Sequence, residues 1–171
     1  METFDAIRAR RNIRSFSDRP IDPAALDRIL EAGRRAPSST NWQPWDFVVV
    51  TERQRLVALS KVFEWARPVA GSAATVALVA PIPRDDVRRD WIMYDFGQAT
   101  MNMMLAAADL GIGSGHSAVA DQDLARRLLQ LPPDKWCVYL IPFGYPADRP
   151  LAPIARPNRR PLDDIVHREV W

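Results

Sequence analysis

Apolar residues recur along this chain at helical spacing first and in short unbroken runs later, with a polar loop between the two regimes. Residues 1–10 place Phe4, Ala6 and Ile7 at helical intervals. Ile21-Asp22-Pro23 then introduces a second helix from 24 to about 35. Asp22 is suited to cap it, and Pro23 to its first position, where a backbone N–H is not needed. Leu26, Ile29, Leu30 and Gly33 form the apolar stripe, with Asp27, Arg28, Glu31 and Arg34 outside. After the polar loop, residues 45–51 (Trp-Asp-Phe-Val-Val-Val-Thr) predict a strand. Residues 52 to about 66 predict a helix with Leu56, Leu59, Val62 and Phe63 inward. Residues 73–80 are apolar on both faces, which predicts a central strand closed by Pro81 and Pro83.

The segment 90–110 is long enough for a helix of five to six turns at about 3.6 residues each. Met93, Phe96, Met101, Met103, Met104, Leu105 and three alanines put apolar groups nearly all the way round it. Such a helix is expected to be buried on every side. One small domain can hardly cover it, so a partner subunit is expected to do so. A third strand near 112–117, a short helix over 121–129 and a fourth strand over 136–143 complete the pattern. No repeat or interdomain linker interrupts residues 1–171, which read as one domain. The irregular alternation predicts an α+β sheet flanked by helices rather than a βαβ series.

Composition narrows the function classes. A chain of 171 residues with 47% apolar content can fill one core. The 23 basic residues are nearly matched by 21 acidic ones, leaving a net charge of +2, so no general case for nucleic acid arises. The one cysteine, Cys137, has no partner for an intrachain disulfide and sits in an apolar run as packing rather than as a nucleophile. The N-terminus, with Glu2 and Asp5, lacks an apolar leader, and the longest apolar stretch, 73–83, is too short to span a bilayer. A cytoplasmic, reducing location without membrane attachment is expected.

Arginines gather at the two ends of the chain, in Arg10-Arg11-Asn12-Ile13-Arg14 and in Arg156-Pro157-Asn158-Arg159-Arg160. The first cluster alone could complement the dipole of the preceding helix. The second lies in a proline-rich stretch with no helix to cap, which suggests one anion held from both ends. Arginine suits a phosphate monoester because its planar fork donates two parallel hydrogen bonds and stays charged. Charge-assisted bonds contribute about 1.5–3 kcal/mol each. Between the clusters, Pro37-Ser38-Ser39-Thr40-Asn41 offers hydroxyls and an amide that match a ribityl chain and a heterocycle edge. The same residues could equally form a turn that satisfies its own backbone. Gln43-Pro44-Trp45 leads from it straight into the strand. His116 and His167 have no Cys, Asp or Glu at metal-ligand spacing, so zinc is not expected, although His116 could line a pocket. Gly111-Ile-Gly113-Ser-Gly115 follows a helix, the wrong context for a dinucleotide loop. Asp163 and Asp164 read as a solvated helical turn.

Residues 10–16, 36–45, 91–114 and 160–167, in this order and spacing, resemble the FMN-dependent nitroreductase family over nearly the whole chain. The resemblance implies a mostly antiparallel sheet flanked by helices and an intertwined homodimer, with two FMN sites at the subunit interface. Arg10 and Arg159 would bind the phosphate, with Arg11 and Arg160 beside them. Asn12 stands where the family commonly has serine, and Arg14 is the catalytic candidate, directed at the flavin N1 and O2 edge. Pro37, Ser38, Ser39, Asn41 and Gln43 would reach the flavin, in part from the partner chain. Ser117, Ala118 and Val119 would lie beneath the ring system, a backbone N–H near Ala118 or Val119 facing N5. The implied activity is ping-pong transfer of a hydride from NAD(P)H through FMN to a nitroaromatic or quinone, without a side-chain acid or base.

Two features depart from the family pattern. Residues 84–90 are brief where the family commonly carries longer segments over the flavin, leaving Trp42, Phe63, Trp65 and Arg67 as candidate walls. Positions around Ala66 and Val69, polar in some members, are apolar here. The alternatives are a flavin or deazaflavin enzyme of a biosynthetic or dehalogenating pathway, and a non-catalytic module binding flavin, or nucleic acid through its arginine clusters.

Overall fold

The structure, a computed structural model, describes residues 1–171. Six α-helices, α1 (Thr3–Ala9), α2 (Pro23–Arg34), α3 (Arg53–Leu59), α4 (Arg67–Gly71), α5 (Asp86–Asp109) and α6 (Gln122–Leu129), flank one sheet. Its strands are β1 (Asp46–Val50), β2 (Ala74–Pro81), β3 (Gly113–Ser114), β4 (Ser117–Ala118) and β5 (Lys135–Gly144). β2 pairs antiparallel with β1 on one side and β5 on the other, and the far edge of β5 carries both β3 and β4, also antiparallel. The architecture is the expected α+β fold.

β2 is central because it has no polar face. Val76, Leu78 and Ala80 pack with Ile29 of α2 and Ile92, Phe96 and Met103 of α5. Ala77 and Val79 on the opposite face pack with Leu56, Leu59, Val69 and Ala125 from α3, α4 and α6. α2 begins as its sequence dictates, with Asp22 accepting from Ala24 N at 2.8 Å and Pro23 in the first turn.

Three elements differ from expectation. The helix over 52–66 is broken. The amides of Ala120 and Asp121 both donate to the Val62 carbonyl, at 3.1 and 2.9 Å, and take the acceptor a continuous helix would offer to Ala66. Ala66 N bonds Phe63 O instead, Phe63 is extended, and Pro68 restarts the chain as α4. α5 starts at Asp86 rather than near 90, because Asp85 caps it by accepting from Arg88 N at 2.7 Å. As expected of so small a domain, one chain does not cover it fully: Ile92, Phe96, Ala99 and Met103 face inward, whereas Met93, Met101 and the 70% exposed Tyr94 do not. The strand over 112–117 is split into β3 and β4. Pro142 of β5 has no N–H to offer the residues between them and only accepts, from Gly115 N at 3.1 Å. In α1 the alanines Ala6 and Ala9 are buried while Phe4 and Ile7 point outward.

After β5, residues 145–149 stay bonded to residues 11–17, and only then does the chain leave the body. Residues 152–171 are all exposed, joined to the body by Ile154 N donating to Arg8 O at 3.0 Å. Leu162, Ile165, Val170 and the 99% exposed Trp171 give this tail an apolar surface that its own chain leaves uncovered. Asp163 and Asp164 lie in the expected short helical turn. No helix is long and apolar enough to cross a membrane.

Candidate functional site

The N-terminal segment reaches the site because one residue anchors it. Ile13 is buried and its N–H donates to Ser114 O at 2.8 Å, while Asn12 and Ser114 form a parallel bridge. Gly113 makes this seat possible: a Cβ there would lie 2.5 Å from Ile13 Cγ1. With Ile13 inward, Asn12 and Arg14 turn outward, and Arg10, at the end of α1, enters a pocket of about 340 Å³ between α5 and the sheet.

The pocket has an apolar floor of Phe96, Met104 and Ile141. Polar groups from three segments converge on it: Arg10 and Asn12, Thr100, and His116 beside Tyr139. Arg10 Nη1 donates to Asn12 Oδ1 at 3.2 Å and pairs with no carboxylate, so its charge is free for an anion. Gly97 lines the same pocket, and a Cβ there would meet nothing within 4 Å. A glycine inside a helix costs about 1 kcal/mol relative to alanine, and here packing within the chain does not require it. His116 sits edge-on to Tyr139, ring centroids 6.5 Å apart. A free guanidinium, an amide, a hydroxyl and an apolar floor have the chemistry to fit an anionic heterocyclic group such as FMN.

The other expected residues are placed as follows. Arg14 is exposed, its side chain makes no hydrogen bond or ion pair, and it does not line this pocket. Arg11 is turned away from the pocket: Nη2 donates to Asp148 Oδ1 and to Arg149 O, both at 2.9 Å. That contact holds the Asp148 carboxyl down at about 2. Arg159 and Arg160 bond only within the tail, to Asn158 O and Asp164 O, and do not line the pocket. The two arginine clusters therefore do not close on one anion within a single chain.

Pro37, Ser38, Ser39, Asn41 and Gln43 lie together in a loop that also does not line this pocket. The loop is self-bonded: Gln43 N donates to Ser38 Oγ at 2.9 Å, and Gln43 Nε2 reaches Asn41 O and Oδ1 at 3.2 Å. Thr40, Asn41 and Gln43 have φ of 54°, 57° and 52°, the left-handed region that disfavours β-branched threonine in particular. Asp95, 0% exposed in the middle of α5, fastens the loop. Both its oxygens accept from Ser39 N at 3.0 Å, and Oδ1 accepts from Ser39 Oγ at 3.1 Å. Sequence reading missed Asp95; its one signal was an acid inside an otherwise apolar helix.

Ser117 and Ala118, in β4, pair with Leu140 and Tyr139, next to His116 at the pocket edge. Val119 is steadied by Gln122, whose amide accepts from Cys137 N at 3.1 Å and donates to Cys137 O at 2.8 Å and Val119 O at 3.3 Å. Burial pushes the Cys137 thiol up to about 12, which keeps it protonated and inert. Of the candidate walls, Phe63 borders a separate opening with Glu64 and Asp121, Trp65 and Arg67 are exposed, and Trp42 faces another cleft. Ala66 and Val69 are core residues.

Comparison with known proteins agrees with the fold. A protein of Archaeoglobus fulgidus named for NADH dehydrogenase and NAD(P)H nitroreductase activity is 33% identical over 99% of both chains. A similarly named protein of Methanothermobacter thermautotrophicus is 30% identical over the whole chain and 88% of the relative. Among solved structures, one of the same description from Parabacteroides distasonis superposes with a TM-score of 0.83 at 27% identity, covering 100% of this chain and 99% of that one. Nitroreductase A of Vibrio parahaemolyticus gives 0.86 at 26% identity, covering 99% and 75%. The model of the Nitroreductase family matches residues 7–80 and 62–145, and the chain belongs to that family.

Proposed function

We propose that residues 1–171 form a single domain that works as a homodimeric, FMN-dependent oxidoreductase. It would carry a hydride from NAD(P)H to an electron-poor nitroaromatic or quinone by ping-pong exchange. The observation that carries the reading is Arg10, charged and without a carboxylate partner, in an apolar-floored pocket that Gly97 lines without a side chain. The names of the relatives, NAD(P)H nitroreductase among them, supply the reaction class.

A second copy of the chain supports the reading from two directions. The apolar surface of Met93, Tyr94 and Met101 on α5, with Phe4 and Ile7 on α1, is uncovered in one chain, and so is the tail. The Ser38–Gln43 loop and Arg159 do not reach the Arg10 pocket of their own chain, which favours a site that the partner's copies would complete. Arg10 would hold the phosphate together with Arg159 of the partner subunit, each through charge-assisted bonds. Arg14 would bring an unpaired positive charge to the ring edge where negative charge develops, and Asn12 would orient that edge. β4 and Gln122 hold the backbone of Ala118 and Val119 still beneath the ring. When bound, FMN supplies the capacity to accept and return a hydride.

A visible absorbance spectrum of the purified protein, before and after NADPH is added without oxygen, tests the proposal. Flavin bands that bleach are expected; a protein that takes up no FMN on reconstitution overturns it. Arg10→Ala or Arg159→Ala should weaken FMN binding roughly ten- to hundredfold, the equivalent of one charge-assisted contact, with the dimer intact.

A further inference from the structure

A second cleft, of about 620 Å³, lies at the start of α5, away from the Arg10 pocket. Thr40 and Trp42 of the loop fastened by Asp95 form one side, and Pro81, Ile82 and Pro83 form the other. Arg84 and Arg88 complete the lining. The proline rings make a stiff apolar wall. Arg88 is held between two indoles, its guanidinium carbon 5.2 Å from the Trp42 ring and 4.7 Å from that of Trp91. Stacking of this kind fixes the guanidinium before any ligand arrives and leaves its N–H edge open.

The neighbouring carboxylates do not neutralise the cleft. Asp85 accepts from the Arg88 backbone as the cap of α5, and Asp86 faces Arg89 at 3.8 Å. Neither Arg84 nor Arg88 makes an ion pair or a side-chain hydrogen bond, whereas Glu31, Asp109 and Asp148 elsewhere on the surface are all paired with arginines. Two unpaired guanidiniums beside an indole face and a proline wall match a ligand in which a planar ring carries an anionic group.

We propose that this cleft binds the anionic aromatic end of a substrate and makes Arg84 and Arg88 specificity determinants of the enzyme. The proposal rests on the oxidoreductase reading above, and on the cleft sharing Thr40 and Trp42 with the loop assigned to the flavin. Two substrates carry the required chemistry. One is the nicotinamide donor through a 2′-phosphoadenosine group, which only NADPH has; the other is an aromatic acceptor bearing a carboxylate.

The test compares the FMN-loaded dimer with its Arg84→Gln, Arg88→Gln and Arg88→Lys variants. Two ratios of kcat/KM are read: NADPH over NADH with a neutral quinone, and 4-nitrobenzoate over nitrobenzene with a fixed donor. Each Gln variant is expected to lower one ratio roughly tenfold or more, the worth of a charge-assisted contact, and Arg88→Lys to restore part of it. A fall in the first ratio assigns the cleft to the donor phosphate, and a fall in the second assigns it to the acceptor. Both ratios unchanged in folded, flavin-loaded variants overturn the proposal. Arg84 is exposed and makes no contact the fold depends on, so Arg84→Gln carries the test if Arg88→Gln fails to fold. Should the protein show no flavin turnover, the oxidoreductase reading fails on its own. The cleft is then tested by calorimetry with 2′-phosphoadenosine diphosphoribose against ADP-ribose, and benzoate against benzamide. Preference for either anion sustains it, and none overturns it.

Discussion

Asp95→Asn separates the stability of the protein from the order of the Ser38–Gln43 loop. The carboxylate is fully buried and faces no cation; its partners are Ser39 N, shared between both oxygens, and Ser39 Oγ. Two donors to a charged acceptor contribute about 3–6 kcal/mol gross, at about 1.5–3 each. Against this stand three left-handed residues in the loop, Thr40, Asn41 and Gln43, at about 1–2 kcal/mol each. The two sums are of the same size, so the loop conformation depends on Asp95. Asparagine keeps one acceptor oxygen, presents an NH₂ where the second oxygen was, and removes the cost of burying a charge. Global stability is therefore expected to fall by only about 1–2 kcal/mol. The loop should loosen by more than that. Hydrogen exchange at the Ser39 amide should accelerate at least about thirtyfold, FMN affinity should fall by a similar factor, and the thermal midpoint should fall by only about 2–8 °C. Ser39→Ala, which removes only the hydroxyl contact, should give a smaller change in the same direction. An Asp95→Asn variant with wild-type protection at Ser39 and wild-type FMN affinity would refute the reasoning.

Two other outcomes follow from charge and burial. The Cys137 thiol, raised to about 12 by burial, should resist a thiol reagent in the native protein at neutral pH and react fully only in denaturant; rapid native labelling would show the strand to be open. The Arg11–Asp148 pair should pin the root of the tail in a pH-dependent way. The Asp148 carboxyl is lowered from 3.8 to about 2 in the folded chain, so its contribution is complete above about pH 4 and is lost as pH falls through 2. Arg11→Ala at neutral pH, and wild type near pH 2, should both expose residues 149–160 to faster proteolysis at matched global stability. A tail equally resistant in all three conditions would mean that Ile154 bonding to Arg8 is sufficient to hold it.

Much of the architecture was legible in the sequence because it is set by local or one-dimensional patterns. Asp22 and Pro23 start α2 with their own atoms, and the unbroken apolar run of β2 can be satisfied only in the centre of a sheet. Matching to a family pattern supplied candidates of which Arg10 and Asn12 line the pocket, while the Ser-rich loop lies apart from it in the same chain. What the sequence could not determine are choices made by distant groups competing for the same atom. The helix over 52–66 breaks because amides at 120 and 121 take the Val62 carbonyl. The strand over 112–117 splits because a proline opposite it cannot donate. Arg11, adjacent to Arg10 and chemically identical, serves the tail instead of the pocket because Asp148 meets it from 137 residues away. Asp95 and the Arg84–Arg88 cleft exist as sites only because α5 brings its first turns against a loop some fifty residues earlier in the chain. Periodicity assigns a residue to the inside or the outside, but which acceptor a buried or charged group finally meets is decided by tertiary packing. That packing has to satisfy every such group at once.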